Sequence, residues 1–394
     1  MAAHQQTPLT LLVGLSTTLR EPVLTAMLTP GTAAIVVDQD ELSTRGVLTW
    51  RLLTAAPMSA DPASIREPGA WSAEPDWPTG WAADDDWPAP DSVLLDSGEF
   101  AVGEDCGACQ LIESLLPLLD TLVSRGHWEH LVLAAPPAME ARPLATTLVA
   151  AMPAEIKVDT VTCVVDAVLL VEQLSGDELL DERGLALGAP DRRNVAELTA
   201  RQVEYADICV LANAHRANAP ERLHNLLRHL NPRTTVIPAD PSGVPSGPVS
   251  QTGAFDIEAA EAWAGELAEA GRLQPSEAGV TTVLWRSTRP FHPARLNDAL
   301  EDIVEGVVRS RGVVWLANRP TQRVRWESAG FSASLGALGE WSDTEHLAEC
   351  TLVATGVGLD PLRLQAVLDA CLLTEAELTT LDWHSLEDPF AGVL

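Results

Sequence analysis

One stretch near the carboxyl end, Trp285 to Gly330, constrains the fold more than any other part of the chain. Val280 to Trp285 is a β-rich apolar run, and Pro293 suits the first position of a helix, where its missing N–H costs nothing. The apolar residues that follow recur at helical spacing and predict one buried helix face: Leu296, Ala299, Leu300, Ile303, Val304 and Val307. Gly312 breaks this period, and Val313 to Ala317 has the composition of a second strand.

Three phrases in this stretch resemble the C-terminal domain of the CobW family of GTP-binding metal chaperones. They are Arg289-Pro-Phe-His-Pro-Ala-Arg-Leu296, the run from Arg309 through Ala317, and Ser328-Ala-Gly330. The resemblance implies an α/β fold with two parts. The first is a P-loop-GTPase-like domain with a mostly parallel sheet, and the second is a smaller α+β CobW C-terminal domain.

The resemblance also suggests how the chain of 394 residues divides. Residues 1–237 would form a GTPase-like domain with degenerate nucleotide motifs, and residues 277–394 the C-terminal domain. Residues 238–276 connect them, because Pro238 to Gly253 is rich in Pro, Gly and Ser and Asp256 to Ala268 has a helical pattern. We interpret residues 238–276 as a linker and a bridging helix.

Composition limits the classes of function. The formal charge of −31 argues against broad attraction to nucleic acid or to an anionic membrane. No run approaches the roughly 18 uninterrupted apolar residues of a membrane helix, and the first residues lack the basic and apolar regions of a signal peptide. Six cysteines with one close pair fit a reducing compartment. We therefore expect a cytoplasmic protein.

The first apolar run, Leu9 to Gly14, opens a strand–turn–helix pattern where the CobW family has its phosphate-binding loop. A working loop needs G-x-x-x-x-G-K-[ST], in which the lysine reaches the terminal phosphates. Gly14 alone remains, and the only lysine in the chain is Lys157, so no Walker lysine can be supplied. Three hydroxyls could still imitate the metal-binding group of such a loop, the alternative being an ordinary helix N-terminus: Ser16, Thr17 and Thr18.

Two further nucleotide motifs are eroded. After the buried strand predicted for Trp128 to Ala134, the polar switch of the family is replaced by Ala-Pro-Pro-Ala-Met-Glu. Where a GTPase reads guanine with Asn-Lys-x-Asp, this chain retains Asn213 and has lost the lysine and the aspartate. GTP binding is therefore doubtful, and we predict no catalytic residue.

A second unusual segment covers residues 57–105 and interrupts the predicted first domain. From residue 56 to residue 105 there are twelve acids and one arginine, and four tryptophans lie between Trp71 and Trp87. Such a composition cannot bury a core and predicts an exposed, largely disordered insertion over most of residues 57–91. Its tryptophans either dock on a partner or fold back on their own domain.

A C-x-x-C pair, Cys106 and Cys109, precedes an amphipathic helix. Thiols at a helix start commonly have a lowered pKa and suit a soft or borderline ion such as zinc. The CobW family carries a C-x-C-C metal motif here, of which the outer two cysteines remain. We predict a metal site at Cys106, Cys109 and Glu104, with Asp105 and Glu99 as further candidates; thiol redox chemistry and a structural remnant are the alternatives.

His127 and His130 do not complete that site in our interpretation. A straight helix of about 15 residues at about 1.5 Å each would place them some 22 Å from Cys106. The other cysteines lie in apolar runs, which predicts an inert core role for them: Cys163, Cys209, Cys350 and Cys371.

Two functional hypotheses follow. The chain resembles the actinobacterial branch of CobW-like proteins that recruit a ribosome hibernation factor under zinc limitation, which implies a non-catalytic binding protein. The alternative is an enzyme, a GTP-dependent zinc or cobalt metallochaperone, and a plain zinc buffer is a third possibility. Residues 281–330 hold eight arginines and five acids, so ribosomal or other nucleic-acid contact would be local, through an arginine face: Arg309, Arg311, Arg319, Arg323 and Arg325.

Overall fold

The structure, a computed structural model, describes most of the chain. The described residues are 6–55, 92–103, 106–125, 128–188, 191–265, 276–341 and 348–394. The Trp71–Trp87 segment, Glu104, Asp105 and His127 lie outside these ranges. None of the described helices is both long and apolar enough to cross a membrane.

The amino-terminal part is built on an eight-stranded sheet in the order β4-β3-β2-β5-β1-β6-β7-β8. Its strands are β1 (Thr7–Val13), β2 (Thr32–Asp38), β3 (Val47–Ala55), β4 (Ser92–Ala101), β5 (His130–Ala134), β6 (Ile156–Asp166), β7 (Ile208–Ala212) and β8 (Thr235–Pro238). In this spatial order, all neighbouring strands between β2 and β8 are parallel. At the other edge, β3 pairs antiparallel with β2, and β4 pairs antiparallel with β3. The predicted mostly parallel sheet is therefore confirmed. β4 also gives regular structure to part of the predicted insertion.

Helices cover both faces of this sheet. They are α1 (Thr17–Met27), α2 (Leu42–Arg45), α3 (Gly107–Ser124), α4 (Ala141–Ala151), α5 (Leu170–Ser175), α6 (Val195–Glu204), α7 (Pro220–Leu230) and α8 (Ile257–Ala264). Leu9 and Leu11 of β1 face the core formed with α3, α4, α6 and α7, whereas Leu12 faces α1. Because alternate residues of a strand point to opposite faces, a strand covered on both sides is apolar throughout.

The carboxyl-terminal part is a five-stranded antiparallel sheet in the order β12-β11-β10-β13-β9. Its elements are β9 (Val280–Ser287), α9 (Pro293–Asp298), α10 (Leu300–Val304), β10 (Arg309–Val314), β11 (Gln322–Ala329), β12 (Ser332–Glu340), β13 (Cys350–Val357), α11 (Pro361–Cys371) and α12 (Glu375–Thr380). Trp326 and Phe291 are fully buried in its core. The predicted smaller α+β domain is confirmed.

Two details of this domain differ from the sequence prediction. The single helix expected across Leu296 to Val307 is two short helices, which meet at Ala299. The strand expected at Val313 to Ala317 begins earlier and comprises β10, residues 309–314. Its Gly312 lies against β13, where a Cβ would overlap the carbonyl oxygen of Thr351. Glycine therefore marks a close strand contact at this position and does not end a helix.

Candidate functional site

The carboxyl edge of a parallel sheet is where folds of this kind bind ligands. Gly14 follows β1 with a φ of 141°, and a Cβ there would lie 2.5 Å from the carbonyl oxygen of Val164 in β6. Ser16 caps α1, since its Oγ accepts a hydrogen bond from the N–H of Leu19 at 3.3 Å. The turn is therefore held by β6 on one side and by the helix cap on the other, and the hydroxyl of Ser16 is already engaged.

Arg20 occupies a position that the sequence prediction did not include. It stands six residues after Gly14, where a working phosphate loop carries its lysine. Its side chain is 4% exposed, and its guanidinium donates a hydrogen bond to the carbonyl oxygen of Ala135, just beyond β5. Burial lowers the pKa of Arg20 to about 10, so the group remains charged at neutral pH. Its spacing from Gly14 was the sequence signal for this role.

Residues 135–140 follow β5 at the place of the eroded switch. Gln202 of α6 donates to two carbonyl oxygens of this segment, at 2.9 and 3.0 Å. Arg193 donates to the carbonyl oxygen of Ala138 at 3.1 Å, and Gln39 accepts the N–H of Ala138 at 3.3 Å. Because its backbone groups are bound by side chains of the same chain, the segment is fixed without any ligand.

Asn213 lies just beyond β7 with a φ of 55°. Its Nδ2 donates to Oδ1 of Asp166 at 3.2 Å, and the same oxygen accepts the N–H of Val168 at 2.9 Å. The two polar side chains at this corner of the sheet are thus bonded to each other. His215, in the short turn that follows, is exposed.

The two thiols of the C-x-x-C pair lie at the start of α3, and both are exposed. Cys106 is the helix cap, and its Sγ accepts the N–H of Cys109 at 3.3 Å. The hydrogen bond to Cys106, with a smaller effect of burial, raises the pKa of Cys109. The direction for Cys109 is therefore opposite to the lowered pKa that the motif predicted, because the hydrogen bond to Cys106 favours the protonated thiol.

Two sulfur atoms one helical turn apart fit zinc, which binds cysteine sulfur at about 2.3 Å in tetrahedral sites. Of the other predicted ligands, Glu104 and Asp105 fall outside the described residues, and Glu99 accepts a hydrogen bond from Arg45 at 3.1 Å. Within the described ranges no group of three or more His, Cys, Asp or Glu side chains is placed to hold a metal. The described residues of this site thus supply two metal ligands, the thiols of Cys106 and Cys109.

The C-x-x-C turn packs on the segment between α5 and α6. A Cβ at Gly107 would overlap the carbonyl oxygen of Leu187, so glycine is required where α3 begins. Arg193, in the same segment, pairs with Oε1 of Glu140 at 2.9 Å. Asp191 links the two, since it accepts the N–H of Leu187 at 3.5 Å and pairs with Arg193 at 2.7 Å. A chain of contacts therefore connects the thiol turn to residues 135–140.

His130 belongs to a different environment. It lies in β5 with a relative exposure of 1%, and its Nε2 is 2.9 Å from Oγ1 of Thr10 and 3.8 Å from Oδ1 of Asp159. Burial lowers the pKa of His130, which favours the neutral ring. The ring lies in the core beside β1 and β6 and forms no contact with the C-x-x-C turn in the described structure.

Arg309 and Arg311 lie in β10, at the seam between the two domains. Arg309 Nε is 2.8 Å from Oε1 of Glu204 in α6, and Arg311 Nε is 3.4 Å from the same oxygen. Although burial alone would raise the pKa of Glu204, the two arginines lower it. Both arginines are buried, so their predicted place on an exposed face is corrected.

The other three arginines of the predicted face lie further out. Arg319 pairs with Asp388 at 2.6 Å, and the guanidinium of Arg323 lies 5.6 Å from the ring centroid of Trp341. Arg325 is exposed in β11. The part of the face that remains on the surface is therefore centred on Arg325.

Comparison with known proteins places this architecture. A family model described as the cobalamin synthesis protein cobW C-terminal domain matches residues 280–372. A zinc chaperone of Mycobacterium tuberculosis is 30% identical over 351 residues, which are 75% of this chain and 79% of that protein. A zinc-regulated GTPase metalloprotein activator of Dictyostelium discoideum is 27% identical over 252 residues, 60% of this chain. That alignment spans 53% of the Dictyostelium protein, about half its length.

Among solved structures, the Zn(II)-bound YjiA GTPase of E. coli matches with 16% identity and a TM-score of 0.37, covering 93% of this chain and 99% of that chain. The mycobacterial alignment covers 75% of this chain, more than either domain contains, so it includes parts of both. The C-terminal match coincides with β9 to α11 of the structure. This chain therefore belongs to the CobW family.

Proposed function

We propose that this chain is a zinc-responsive CobW protein that recruits a ribosome hibernation factor under zinc limitation and does not hydrolyse GTP. The observation that supports the absence of hydrolysis is the buried Arg20. A terminal phosphate requires a lysine and free backbone N–H groups. In this chain the charge of Arg20 is directed at the carbonyl oxygen of Ala135, and the N–H of Ala138 in the neighbouring segment is bound by Gln39.

Zinc response is assigned to Cys106 and Cys109. Zinc binds thiolates, so the two thiols release protons when they bind it, and binding weakens as pH falls. The pKa of Cys109 is raised, so zinc binding must displace its proton. The contact between Gly107 and Leu187 then gives a route by which the occupied turn can alter residues 135–140.

The test combines zinc and partner binding on the purified chain. Zinc affinity is measured by competition with a chromophoric chelator for wild type, for the Cys106→Ser/Cys109→Ser double variant, and for His215→Ala, an exposed control. We expect loss of zinc binding in the double variant alone. Recruitment of the hibernation factor to ribosomes is then followed by co-sedimentation. Equal recruitment with and without zinc would overturn the zinc-response claim.

A GTP-dependent zinc or cobalt metallochaperone is the second candidate. It is favoured by the GTPase-like strand order, by Asn213 at the expected corner, and by the names of the relatives. It predicts magnesium-dependent GTP turnover, which is lost when Ser16, Thr17 and Thr18 are replaced by alanine. Turnover at background level in the wild type favours the first proposal.

A further inference from the structure

The outer strand of the C-terminal sheet, β12, has an open edge. It pairs with β11 on one side, and no strand pairs with its other side within the part of the chain that the structure describes. Most of its nine residues are exposed. Edge strands of stable proteins are usually protected by lysine, proline or inward-pointing charge, because their free N–H and C=O groups pair with other chains. β12 contains none of these and has one acid, Glu340, at its last position.

A positive charge lies across this edge. Arg325 and Gly336 are cross-strand partners in β11 and β12, and their side-chain positions share one face of the sheet. A Cβ at Gly336 would lie 3.3 Å from Nη2 of Arg325, so the missing side chain leaves the space into which the guanidinium extends. Arg325 Nε is 3.7 Å from Oε1 of Glu327, too long for a hydrogen bond, and its side chain is 49% exposed.

The same sheet face continues into the seam between the domains. Glu327, two residues along β11 from Arg325, is bound by Arg201 of α6 at 3.1 Å. Gly330, in the turn before β12, packs so closely that a Cβ would overlap the carbonyl oxygen of Gly176. Phe331, the next residue, is 65% exposed. The start of β12 is therefore anchored on the large domain, with an apolar side chain presented to solvent.

We propose that the edge of β12 is a docking site for an extended acidic segment of a partner protein, which pairs with it as a sixth strand. Free backbone groups of β12 would supply the affinity, and Arg325 would select a carboxylate on the added strand. Phe331 would cover an apolar residue at one end. The inference goes beyond the proposed function, since it concerns the other domain and holds whether or not Cys106 and Cys109 bind zinc.

The probe is a fluorescein-labelled peptide of alternating threonine and glutamate, about as long as β12. Its matched controls carry lysine for glutamate, or proline at alternate positions to prevent strand pairing. Binding to the full chain is measured by fluorescence anisotropy, and amide hydrogen exchange locates it. We expect the acidic peptide to bind best and to protect residues 332–340. The Arg325→Ala variant weakens it by about three- to tenfold, and Arg325→Glu reverses the preference between the acidic and basic peptides.

Four peptide or RNA results would overturn the proposal, and a fifth comes from a deletion variant. The first is an acidic peptide that does not bind saturably, and the second is one whose binding is unchanged in Arg325→Glu. The third is equal binding of the proline-containing peptide, because this indicates charge attraction without strand pairing. The fourth is an RNA oligonucleotide that protects residues 332–340 where the acidic peptide does not. Deletion of residues 57–91 is the remaining arm: a large gain in peptide affinity would assign the edge to the chain's own acidic segment, whereas unchanged affinity supports a separate partner.

Discussion

The carboxyl edge of the large sheet and the C-x-x-C turn at the start of α3 are neighbouring parts of one domain, yet their polar groups differ in burial and in hydrogen bonding. At the carboxyl edge Arg20, Gln39 and Gln202 are buried and bonded to the backbone of residues 135–140. At the turn, Cys106 and Cys109 are exposed.

This difference in burial and bonding indicates which of the two places can still bind a ligand. A ligand at the carboxyl edge would have to break hydrogen bonds that are already buried, which costs about 1–3 kcal/mol for each group left unsatisfied. A cation at the thiol pair meets no such cost, because water already reaches both sulfur atoms. The comparison predicts large stability effects at buried polar sites and functional effects without instability at the turn.

The largest loss of stability is expected at the seam between the two domains, where charged side chains are buried and paired with each other. Glu204→Ala leaves Arg309 and Arg311 buried without their shared carboxylate, and should lower the free energy of unfolding by about 3–5 kcal/mol. Glu197→Ala, on the same helix, removes a more exposed pair with Arg201 and should cost at most about 1 kcal/mol. Urea denaturation measures both. Equal costs would contradict the distinction between buried and exposed pairs.

The second largest loss of stability is expected for Arg20→Ala. It removes the donor to Ala135 and leaves a cavity beside a buried carbonyl, so we expect a loss of about 2–4 kcal/mol. Thr18→Ala, an exposed position in the same helix, should remain within about 0.5 kcal/mol. Zinc affinity should be unchanged in both variants. An Arg20→Ala protein as stable as wild type would show that the carboxyl edge is not closed by this side chain.

Asp207 is a further buried polar group, and its carboxylate is incompletely paired. Its Oδ2 accepts the N–H of Val161, but Oδ1 is 3.9 Å from Nη2 of Arg233. Burial raises the pKa of Asp207 from 3.8 to about 6. The folded protein therefore binds this proton more tightly than the unfolded chain does. Protonation of Asp207 stabilises the fold fully below about pH 3.8, and this stabilisation is lost as pH rises through about 6.

Asp207→Asn keeps the acceptor for Val161 without the charge. We expect the variant to be more stable than wild type by about 1–3 kcal/mol at pH 7, with a smaller difference at pH 5. Denaturation at the two pH values measures this. A constant difference between them would show that the charge of Asp207 is not its cause.

The smallest effect on stability is expected at the turn. The Cys106→Ser/Cys109→Ser variant should unfold within about 0.5 kcal/mol of wild type when zinc is absent, because both side chains are exposed and serine is also a good helix cap. Added zinc should raise the thermal midpoint of wild type and leave that of the variant unchanged. A zinc-dependent shift of equal size in the variant would place the metal elsewhere.

Local signals made much of the C-terminal domain predictable from the sequence. Asp360 caps α11 before Pro361, and Thr374 and Glu377 form a capping box at the start of α12. These motifs act within a few residues and need no distant partner. The sequence prediction began the strand β10 four residues too far along the chain, because arginine at positions 309 and 311 does not indicate a buried strand. The carboxylate that compensates their charge comes from α6, more than a hundred residues earlier.

The candidate site was predictable only where the chain carries a motif. The C-x-x-C spacing identifies Cys106 and Cys109, and the missing lysine indicates an eroded phosphate loop. Arg20 lies six residues after Gly14, a spacing that could have identified it, whereas Gln39 and Gln202 gave no sequence signal. A buried polar side chain is recognised by its bonded partner, and for these two glutamines that partner is a backbone group brought near by the fold.

Equilibrium binding of fluorescently labelled GTP with magnesium to the purified full chain shows whether the carboxyl edge of the large sheet can still hold a nucleotide. We expect no saturable binding at millimolar nucleotide, because the guanidinium of Arg20 is engaged by the carbonyl oxygen of Ala135 and the N–H of Ala138 is engaged by Gln39, so neither donor is free for a phosphate. Saturable, magnesium-dependent binding that weakens when Gly14 or Ser16 is replaced would contradict the account and would make the carboxyl edge a working nucleotide site.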